Sequence, residues 1–484
     1  MAIKGASMFL TLADGARKPS SRKRSTQRSA VPAFRGLETL ESRLLLSTVG
    51  SVDAGVLTLT GSERGETIVL EATAVAGEVV VKSRQGIDHD ANPATRKVKQ
   101  FTFSGVNEIV VNTLGGKDRV TLGAGILRFS DSTLIGVSID GGAGNDVLIG
   151  GEANDTLVGG PGYDRITARG GNDTIDVGAG RSRIDAGDGN DTIVGLNGKA
   201  RIDAGAGDDT VTIGAGNHRI LLGEGNNSLT TGDGKVTVVA GAGDDTIDIG
   251  VGKSHITTGD GVNSVTAGDG NDDALRDGNV TVIGGGAVDT ISLGNGNNRV
   301  FAGDGANVIT TGDGNNRIEA GIGADVITVR NGNNIILAGD GANVITAGLG
   351  NNVITTGSGA DVITILGTAG KSRINAGDGA NKIDVAGGDS TITTGSGADS
   401  VTTGDGRDSI STGAGSDTIS SGGGNDTIDS GDGPDSIQGG EGNDRINAGE
   451  GNDTIDGGLG ADTIFGGPGG DEIAPDSADE QFPD

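Results

Sequence analysis

The chain has 484 residues with 95 glycines, no cysteine, no tryptophan and a formal net charge of −30. This composition excludes an ordinary layered core and a disulfide framework, because large apolar side chains are scarce and cysteine is absent. The negative charge and the shortage of aromatic rings argue against nucleic acid and anionic membranes as partners, and they favour cations.

The first 47 residues differ from the rest of the chain because they are basic and rich in serine. This composition predicts disorder. Residues 40–47 read LESRLLLS and resemble a short motif near the N-terminus of many large exported proteins of planctomycete bacteria. The resemblance implies that residues 1–47 are an export or targeting segment. The alternative interpretation is a short amphipathic turn of helix.

Residues 48–138 are predicted to form a β-rich cap that is made partly of degenerate repeats. The stretches 55–60 and 78–82 are rich in β-branched residues and are bounded by glycine, which is typical of strands. An acidic side chain holds the same place in two imperfect repeats, at Glu66 and at Asp118. Such a cap would cover the first open edge of a repeat array.

From residue 139 to residue 474 the chain is built of nonapeptides, and residues 475–484 are predicted to form an acidic tail. Asp recurs every nine residues from Asp399 to Asp471, and Ile or Val follows two residues after each. One half of the repeat is rich in glycine and predicts a turn, and the other half alternates outward and inward like a strand. The register slips twice, by one missing residue in the repeat that begins at Ala267 and by two extra residues at 366–369.

The repeats from Asp399 onwards resemble the repeats-in-toxin (RTX, haemolysin-type) calcium-binding nonapeptide, G-G-x-G-x-D-x-U-x with U aliphatic. The resemblance implies an all-β fold, a parallel β-roll or β-solenoid in which two nonapeptides form one coil. Residues eighteen apart then stack on one edge, about 4.8 Å apart. Two stacked Asp residues can share one Ca²⁺ together with turn carbonyls. Because stacked carboxylates repel each other without a cation, we expect folding that depends on several Ca²⁺ ions.

The sixth position of the repeat supplies the candidate metal ligands. A single Asp in a glycine-rich turn more often bonds its own backbone, but an unbroken series in strict register favours metal ligation. The predicted calcium ligands are Asp146, Asp155, Asp164, Asp173, Asp191, Asp209, Asp245, Asp399, Asp408, Asp417, Asp426, Asp435, Asp444, Asp453, Asp462 and Asp471.

Two zones depart from this pattern. In the first zone one edge keeps Asp, while the other edge lacks carboxylates at Ser182, Ala200, His218, Val236 and Ser254. Basic residues flank these turns, so we predict one metallated edge and one metal-free basic edge; simple decay of the repeats is the alternative. In the second zone Asp and Asn alternate on one edge, and the other edge carries Asn298, Asn316, Asn334 and Asn352. Stacked amides can form ladders without a metal, so weak or absent calcium binding is expected there.

The sequence predicts a calcium-binding structural protein that folds on Ca²⁺ and is secreted or held at the cell surface. Its expected partners are calcium and cell-surface or matrix components. The alternative is an adhesin or ligand-binding solenoid, for a glycan or for ice, that uses outward threonines such as Thr310. We expect Glu319 and Leu337 to interrupt that threonine file.

An enzyme is not expected. The chain has three histidines, which cannot form the H-E-x-x-H zinc motif, and it contains no G-x-S-x-G nucleophile elbow. His218 and His255 are expected to be solvated or stacked instead of binding a metal. No apolar run is as long as a membrane-spanning segment.

Overall fold

The nonapeptide pattern produces coils of eighteen residues, in which each repeat gives one short strand and one glycine-rich turn. The structure is a computed structural model that describes residues 49–85, 99–123, 134–268, 279–474 and 478–483. Successive repeats alternate between two sheets, so that Thr174 lies beside Thr192 on one sheet and Arg165 beside Arg183 on the other. In these ranges every regular element is a strand.

Sheet A has 22 strands. Its first pair, β1 and β2, is antiparallel, and its later neighbours are parallel. The strands are β1 (Val49–Asp53), β2 (Val56–Thr60), β6 (Glu108–Asn112), β9 (Val137–Asp140), β12 (Thr156–Val158), β14 (Thr174–Asp176), β16 (Thr192–Gly195), β18 (Thr210–Ile213), β20 (Ser228–Thr231), β22 (Thr246–Ile249), β24 (Ser264–Ala267), β26 (Thr290–Leu293), β28 (Val308–Thr311), β30 (Val326–Val329), β32 (Val344–Ala347), β34 (Val362–Ile365), β36 (Lys382–Gly387), β38 (Ser400–Asp405), β40 (Thr418–Ser420), β42 (Ser436–Glu441), β44 (Thr454–Leu459) and β46 (Glu472–Ile473).

Sheet B lies opposite sheet A. Its first strand pairs are antiparallel, and from the pair of β3 with β8 onwards neighbouring strands are parallel. Its strands are β3 (Glu66–Ala72), β4 (Val79–Gln85), β5 (Lys99–Phe103), β8 (Arg119–Leu122), β11 (Val147–Ile149), β13 (Arg165–Gly170), β15 (Gly180–Asp188), β17 (Gly198–Ala206), β19 (His218–Glu224), β21 (Val236–Val239), β23 (His255–Thr257), β25 (Thr281–Ile283), β27 (Arg299–Phe301), β29 (Arg317–Glu319), β31 (Ile335–Gly339), β33 (Val353–Thr356), β35 (Ser372–Gly377), β37 (Ser390–Thr394), β39 (Ser409–Ala414), β41 (Thr427–Asp432), β43 (Arg445–Asn447), β45 (Thr463–Gly467) and β47 (Glu480–Pro483). Two short strands, β7 (Gly115–Gly116) and β10 (Ala143–Gly144), pair in the turns.

The core is the space between the two sheets, and the aliphatic eighth position of each repeat fills it. Ile309, Ile345 and Ile428 are at most 1 % exposed, and Ile309 lies beside Ile327 of the next coil. Each buried Ile contributes roughly 1.5–3 kcal/mol, so the hydrophobic stabilisation is spread evenly along the solenoid. The predicted all-β, parallel β-solenoid is confirmed.

The glycine-rich turns stack so closely that side chains are excluded from several positions. Gly424 has φ of 141°, and a Cβ there would overlap the carbonyl oxygen of Gly406 in the preceding coil. Glycine is therefore required both for the left-handed backbone and for the close approach of successive turns.

Two coils are longer than the others, at the places where the sequence register slips. The backbone N–H of Asn263 donates to Asp289, twenty-six residues further on, so this coil is eight residues longer than the regular coil of eighteen; residues 269–278 lie outside the described ranges. The backbone N–H of Asp361 donates to Asn381, twenty residues further on, which accommodates the two extra residues at 366–369. Both edges remain continuous through these coils.

The strands before residue 138 begin the same solenoid. β3 pairs in parallel with β8, so that Ile68 lies beside Val120 in the aliphatic file. Glu66 is buried where later repeats have Asp, and its backbone N–H donates to Oδ1 of Asp118 at 2.6 Å. Its carboxylate accepts the backbone N–H of Ser62. The antiparallel strands β1, β4 and β5 lie outside this first coil.

Outward-facing residues form separate files on the two sheets, because successive repeats lie on opposite sides of the core. Four consecutive coils of sheet A carry a threonine file, formed by Thr310, Thr328, Thr346 and Thr364. Glu319 and Leu337 are neighbours on sheet B. Glu319 and Leu337 therefore interrupt the outward row of sheet B that contains Thr355, as predicted, but they do not interrupt the threonine file of sheet A.

The last strand, β47, lies within the residues 475–484 that were assigned to an acidic tail. It pairs in parallel with β45, and Phe482 stacks on Phe465 with ring centroids 4.9 Å apart. The N-terminal segment and its LESRLLLS motif lie outside the described residues. In the part of the chain that is described, no helix is long and apolar enough to cross a membrane.

Candidate metal centre

The sixth residue of each repeat ends a turn and stacks on the sixth residue of the next coil, which creates two rows of turns. Edge A precedes the strands of sheet A, and its sixth residues are Asp155, Asp173, Asp191, Asp209, Asn227, Asp245, Asn263, Asp289, Asn307, Asp325, Asn343, Asp361, Asn381, Asp399, Asp417, Asp435, Asp453 and Asp471. Edge B precedes the strands of sheet B, and its corresponding residues are Glu66, Asp118, Asp146, Asp164, Ser182, Ala200, His218, Val236, Ser254, Val280, Asn298, Asn316, Asn334, Asn352, Ser372, Ser390, Asp408, Asp426, Asp444, Asp462 and Asp479.

One oxygen of each carboxylate is fixed by the neighbouring coil. Oδ1 of Asp191 accepts the backbone N–H of Asp173 at 2.7 Å, and Oδ1 of Asp209 accepts that of Asp191 at 2.8 Å. On edge B, Oδ1 of Asp444 accepts the backbone N–H of Asp426 at 2.8 Å. These five side chains are at most 2 % exposed. The bonds run between coils and not to the residue's own turn, so the solenoid itself orients the carboxylates.

The second oxygen, Oδ2, is buried without a hydrogen-bond partner in most of these residues. This holds for Asp118, Asp146, Asp164, Asp173, Asp191, Asp209, Asp245, Asp289, Asp325, Asp361, Asp399, Asp408, Asp417, Asp426, Asp435, Asp444, Asp453, Asp471 and Asp479. Asp155 differs, because its Oδ2 accepts the backbone N–H of Gly151 at 2.6 Å. A buried acceptor without a donor costs about 1–3 kcal/mol, and more when it is charged. Such a series of orphaned anionic oxygens points to cations as their partners.

The Asn residues of the same edges show which backbone groups surround the position that Oδ2 occupies in the Asp residues. Nδ2 of Asn343 donates to the carbonyl oxygens of Gly339 at 3.1 Å and Gly341 at 3.0 Å. Nδ2 of Asn381 donates in the same way to Gly377 and Gly379, each at 3.1 Å. The repeat therefore directs two turn carbonyls at the second side-chain atom of its sixth residue. An Asp places an anionic oxygen beside that pair of carbonyl oxygens.

This donor set fits Ca²⁺. The cation prefers about six to eight hard oxygen ligands, including carboxylates and backbone carbonyls, and each Asp turn offers one buried carboxylate oxygen with the carbonyls of its own turn. Within the described ranges, no three His, Cys, Asp or Glu side chains converge on one point. Backbone carbonyls would therefore supply much of the coordination, with stacked Asp residues contributed by adjacent coils.

A sequence model of the RTX calcium-binding nonapeptide repeat matches this chain in overlapping segments between residues 138 and 473. The chain belongs to the RTX calcium-binding nonapeptide repeat family. The matched segments leave out 218–221 and 257–275, which contain His218 and the start of the twenty-six-residue coil. Comparison with curated proteins gives no match. The RTX repeats and the orphaned oxygens together identify a calcium-binding β-roll.

Electrostatics in the RTX roll disfavour bare carboxylates at neutral pH. Burial raises the pKa of Asp173 to about 8, and the charges of Asp155 and Asp191 act in the same direction. Burial likewise raises the pKa of Asp209 to about 7 and that of Asp118 to about 7. A bound cation would oppose these shifts because it favours the ionised form.

The structure adds five carboxylates that were not predicted as RTX ligands. Asp289, Asp325 and Asp361 alternate with Asn on edge A, Asp118 belongs to the second degenerate repeat, and Asp479 ends edge B; each has the same orphaned Oδ2. Asp118 also receives the backbone N–H of Glu66. Asp289, Asp325 and Asp361 could have been found from the sequence, because they are in unbroken register with the Asp residues before and after them on edge A.

The stretch of edge B without carboxylates completes its hydrogen bonds by itself. The backbone N–H of Ala200 donates to Nδ1 of His218 at 3.2 Å, and Nε2 of His218 lies 3.0 Å from the carbonyl oxygen of Gly214. Burial lowers the pKa of His218, which favours the neutral imidazole, and the two contacts select its Nε2–H tautomer. Of the two predicted states, solvated or stacked, the solvated one is wrong, since His218 is 3 % exposed and takes the place of a turn amide in the stacked row of edge B. His255 is exposed.

Proposed function

We propose that this chain is a structural calcium-binding module of a secreted or cell-surface protein, and that several Ca²⁺ ions complete its folding. The observation that carries the proposal is the series of buried, unpartnered Oδ2 atoms along both edges. Each belongs to a carboxylate whose other oxygen is already fixed, so each coil that holds such a carboxylate would gain stability when a cation is bound.

The proposed ligands divide the roll into zones with different calcium dependence. From Asp399 to Asp471 both edges carry Asp, and calcium would be needed in every coil. From Asn298 to Asn352 edge B is amide only, and Nδ2 of each residue donates to turn carbonyls, as at Asn316 with 3.3 and 3.1 Å. The amide takes the place of the cation there, so the folding of this zone should depend less on calcium than that of the zone from Asp399 to Asp471.

The calcium hypothesis can be tested with the full chain after exhaustive removal of calcium. Circular dichroism should lose strand signal in chelator and recover it on addition of Ca²⁺, and terbium luminescence should report several sites. Asp417→Asn/Asp435→Asn should lose terbium sites, whereas the exposed pair Asp429→Asn/Asp456→Asn should not. Unchanged strand signal and no terbium binding would overturn the proposal.

The proposed location needs a separate measurement. Immunoblotting of culture medium, and protease treatment of intact cells, should find the chain outside the cytoplasm. A chain that remains in the cytoplasmic fraction and resists external protease would contradict the proposed export without affecting the calcium chemistry.

Adhesion through an outer face is a second candidate function, supported by a regular array on sheet A. Beside the threonine file lies a file of half-exposed valines, 37–42 % exposed, at Val308, Val326, Val344 and Val362. Thr328→Lys/Thr346→Lys should abolish binding to an insoluble glycan or to ice, while Leu337→Lys/Thr355→Lys on sheet B should not. Equal binding by both variants would exclude this face.

A further inference from the structure

A basic groove lies on edge B, in an otherwise acidic protein. It has a volume of about 530 Å³. Its cationic lining consists of Arg181, Arg183, Lys199, Arg201, Arg219 and Lys235, all of which are exposed. The chain as a whole carries a net charge of −30, so the groove is a local positive region on a negatively charged protein.

The cations of the basic groove form two straight files along the solenoid axis. Arg183, Arg201 and Arg219 are direct neighbours in three successive coils of sheet B. Arg181 and Lys199 are neighbours in the second file, which continues through Asn217 to Lys235. Neighbouring coils are about 4.8 Å apart, so the second file is about 14 Å long. The parallel β-sheet therefore holds the positive charges at a fixed and regular spacing.

Within the described residues, no ion pair within 4.0 Å neutralises these charges; Asp203 is the acidic neighbour on which Arg201 and Arg183 act at longer range. The ion pairs within 4.0 Å among the described residues are Lys82–Glu71, Arg317–Glu319 and Lys371–Asp389, and none involves the basic groove. The one aromatic contact is Arg181 over the ring of Tyr163, 5.7 Å from its centroid.

Calcium is also a poor occupant of the basic groove. The turns behind it carry Ser182, Ala200, His218 and Val236 in place of Asp, and their buried polar atoms are paired within the edge: the backbone N–H of Asp164 donates to Oγ of Ser182 at 3.3 Å. In the same coils edge A keeps Asp191 and Asp209. The two edges thus have opposite charge, and a divalent cation on edge B would be repelled by the cation files.

We propose that the basic groove binds a linear anionic polysaccharide, whose carboxylate or sulfate groups lie along the two cation files. An extended polymer with regularly repeating anions matches a regular row of positive charges better than a single compact anion does. Arginine forks suit both carboxylate and sulfate geometry. This role goes beyond calcium binding and depends on the proposed function only for the folding of these coils.

Other polyanions fit the basic groove less well. Single-stranded nucleic acid relies on several aromatic stacking platforms, and the groove has one ring, that of Tyr163. Protein interfaces rely on a central, well-packed cluster of anchors, whereas this groove offers a single exposed ring, Tyr163, among six cations. A second copy of this chain would bring a further −30 charges, and the two molecules would repel each other.

The test uses the calcium-loaded full chain and fluorescently labelled polygalacturonate and heparin, with neutral dextran and polyglutamate as comparison ligands. Fluorescence anisotropy should show binding to the two anionic polysaccharides that weakens with added salt. Arg183→Gln/Arg201→Gln/Arg219→Gln should weaken binding roughly tenfold, because three exposed ion pairs, each weak by itself, are lost together. Lys199→Gln/Lys235→Gln in the second file should weaken it as well.

The matched control is Arg299→Gln/Arg317→Gln/Arg373→Gln, which removes three arginines from the same repeat position of sheet B outside the basic groove. It should bind like the wild type, and this comparison also corrects for binding by the basic residues 1–47. Equal weakening by both triple variants, or no polysaccharide binding by the wild type, would overturn the proposal. Preferential binding of polyglutamate, or self-association that the groove variant abolishes, would reassign the groove to protein. Circular dichroism and terbium binding, unchanged in the variants, separate this result from a failure of the calcium hypothesis.

Discussion

Asn307 and Asp325 occupy neighbouring coils of edge A, and the backbone N–H of Asn307 donates to Oδ1 of Asp325 at 2.8 Å. Their second side-chain atoms differ in one respect. Nδ2 of Asn307 donates to the carbonyl oxygens of Gly303 at 3.1 Å and Gly305 at 3.2 Å, whereas Oδ2 of Asp325 is buried without a partner. The amide carries its own donor, and the carboxylate needs a proton or a cation.

Replacing Asp325 by Asn should therefore stabilise the calcium-free protein. The new amide would satisfy two turn carbonyls and remove a buried orphan, a gain of about 1–3 kcal/mol. Thermal unfolding after calcium removal should show the increase, and terbium luminescence should show fewer sites. Asp248→Asn, on the exposed face of the same sheet, removes the same charge and should change neither. Lower calcium-free stability of Asp325→Asn would contradict this explanation of the alternating edge.

Calcium dependence should be uneven along the chain. Chelator should release the zone from Asp399 to Asp471 first, because both of its edges hold orphaned carboxylates. The zone from Asn298 to Asn352 should keep more strand structure, because its amides bond the turns directly. Hydrogen exchange with and without Ca²⁺ measures both zones in one experiment. Simultaneous loss of protection would mean that cooperativity along the solenoid outweighs the local difference.

Stability of the calcium-free protein should increase as the pH falls. Burial raises the pKa of Asp173 to about 8 and that of Asp444 to about 6, against about 3.9 in an unfolded chain. The folded state thus binds protons more tightly, and its stabilisation by protonation is fully present below about pH 4 and is lost as pH rises through about 6 to 8. Thermal unfolding of the dialysed protein across this range should follow that trend. Asp173→Asn should flatten it, and a stability that instead rises with pH would refute the assignment.

The in-and-out pattern of the fold was predictable from the sequence because a strand has a period of two and a repeat has a fixed length of nine. Ile309 and Ile428 could be placed in the core on that basis alone. The same parity puts Thr310 and Glu319, nine residues apart, on opposite sheets, which the predicted interruption of the threonine file overlooked. The pairing of Glu66 with Asp118 could not be predicted, since no repeat length connects them.

The positions of the candidate ligands along each edge were predictable from the sequence, but the hydrogen bonding of their carboxylate oxygens was not. Sequence spacing identifies Asp173 and Asp191 as neighbours, yet it does not reveal that one oxygen bonds the adjacent coil and the other has no partner. Sequence spacing also cannot distinguish Asp155 from the other Asp residues of its edge, although both of its carboxylate oxygens accept backbone N–H groups. These differences depend on which backbone donors each turn directs at the side chain, and that is a property of the folded coil.

The last prediction concerns where metal lies in the coils between Arg181 and Lys253. Edge A there holds Asp191, Asp209 and Asp245 with buried, unpartnered Oδ2 atoms, and edge B holds residues that are neutral or already paired, beside the basic groove. Lanthanide ions should therefore bind along edge A and be absent beside Ser182, Ala200 and Val236. Anomalous scattering from a lanthanide-soaked crystal locates them directly, with the coils around Asp426 and Asp444 as an internal control in which edge B should be occupied. The turn row of edge B has no carboxylate at Ser182, Ala200, His218, Val236 or Ser254 that could hold a cation against the surrounding positive charge. Ions beside Ala200 would therefore overturn the division of this zone into one metallated and one basic edge.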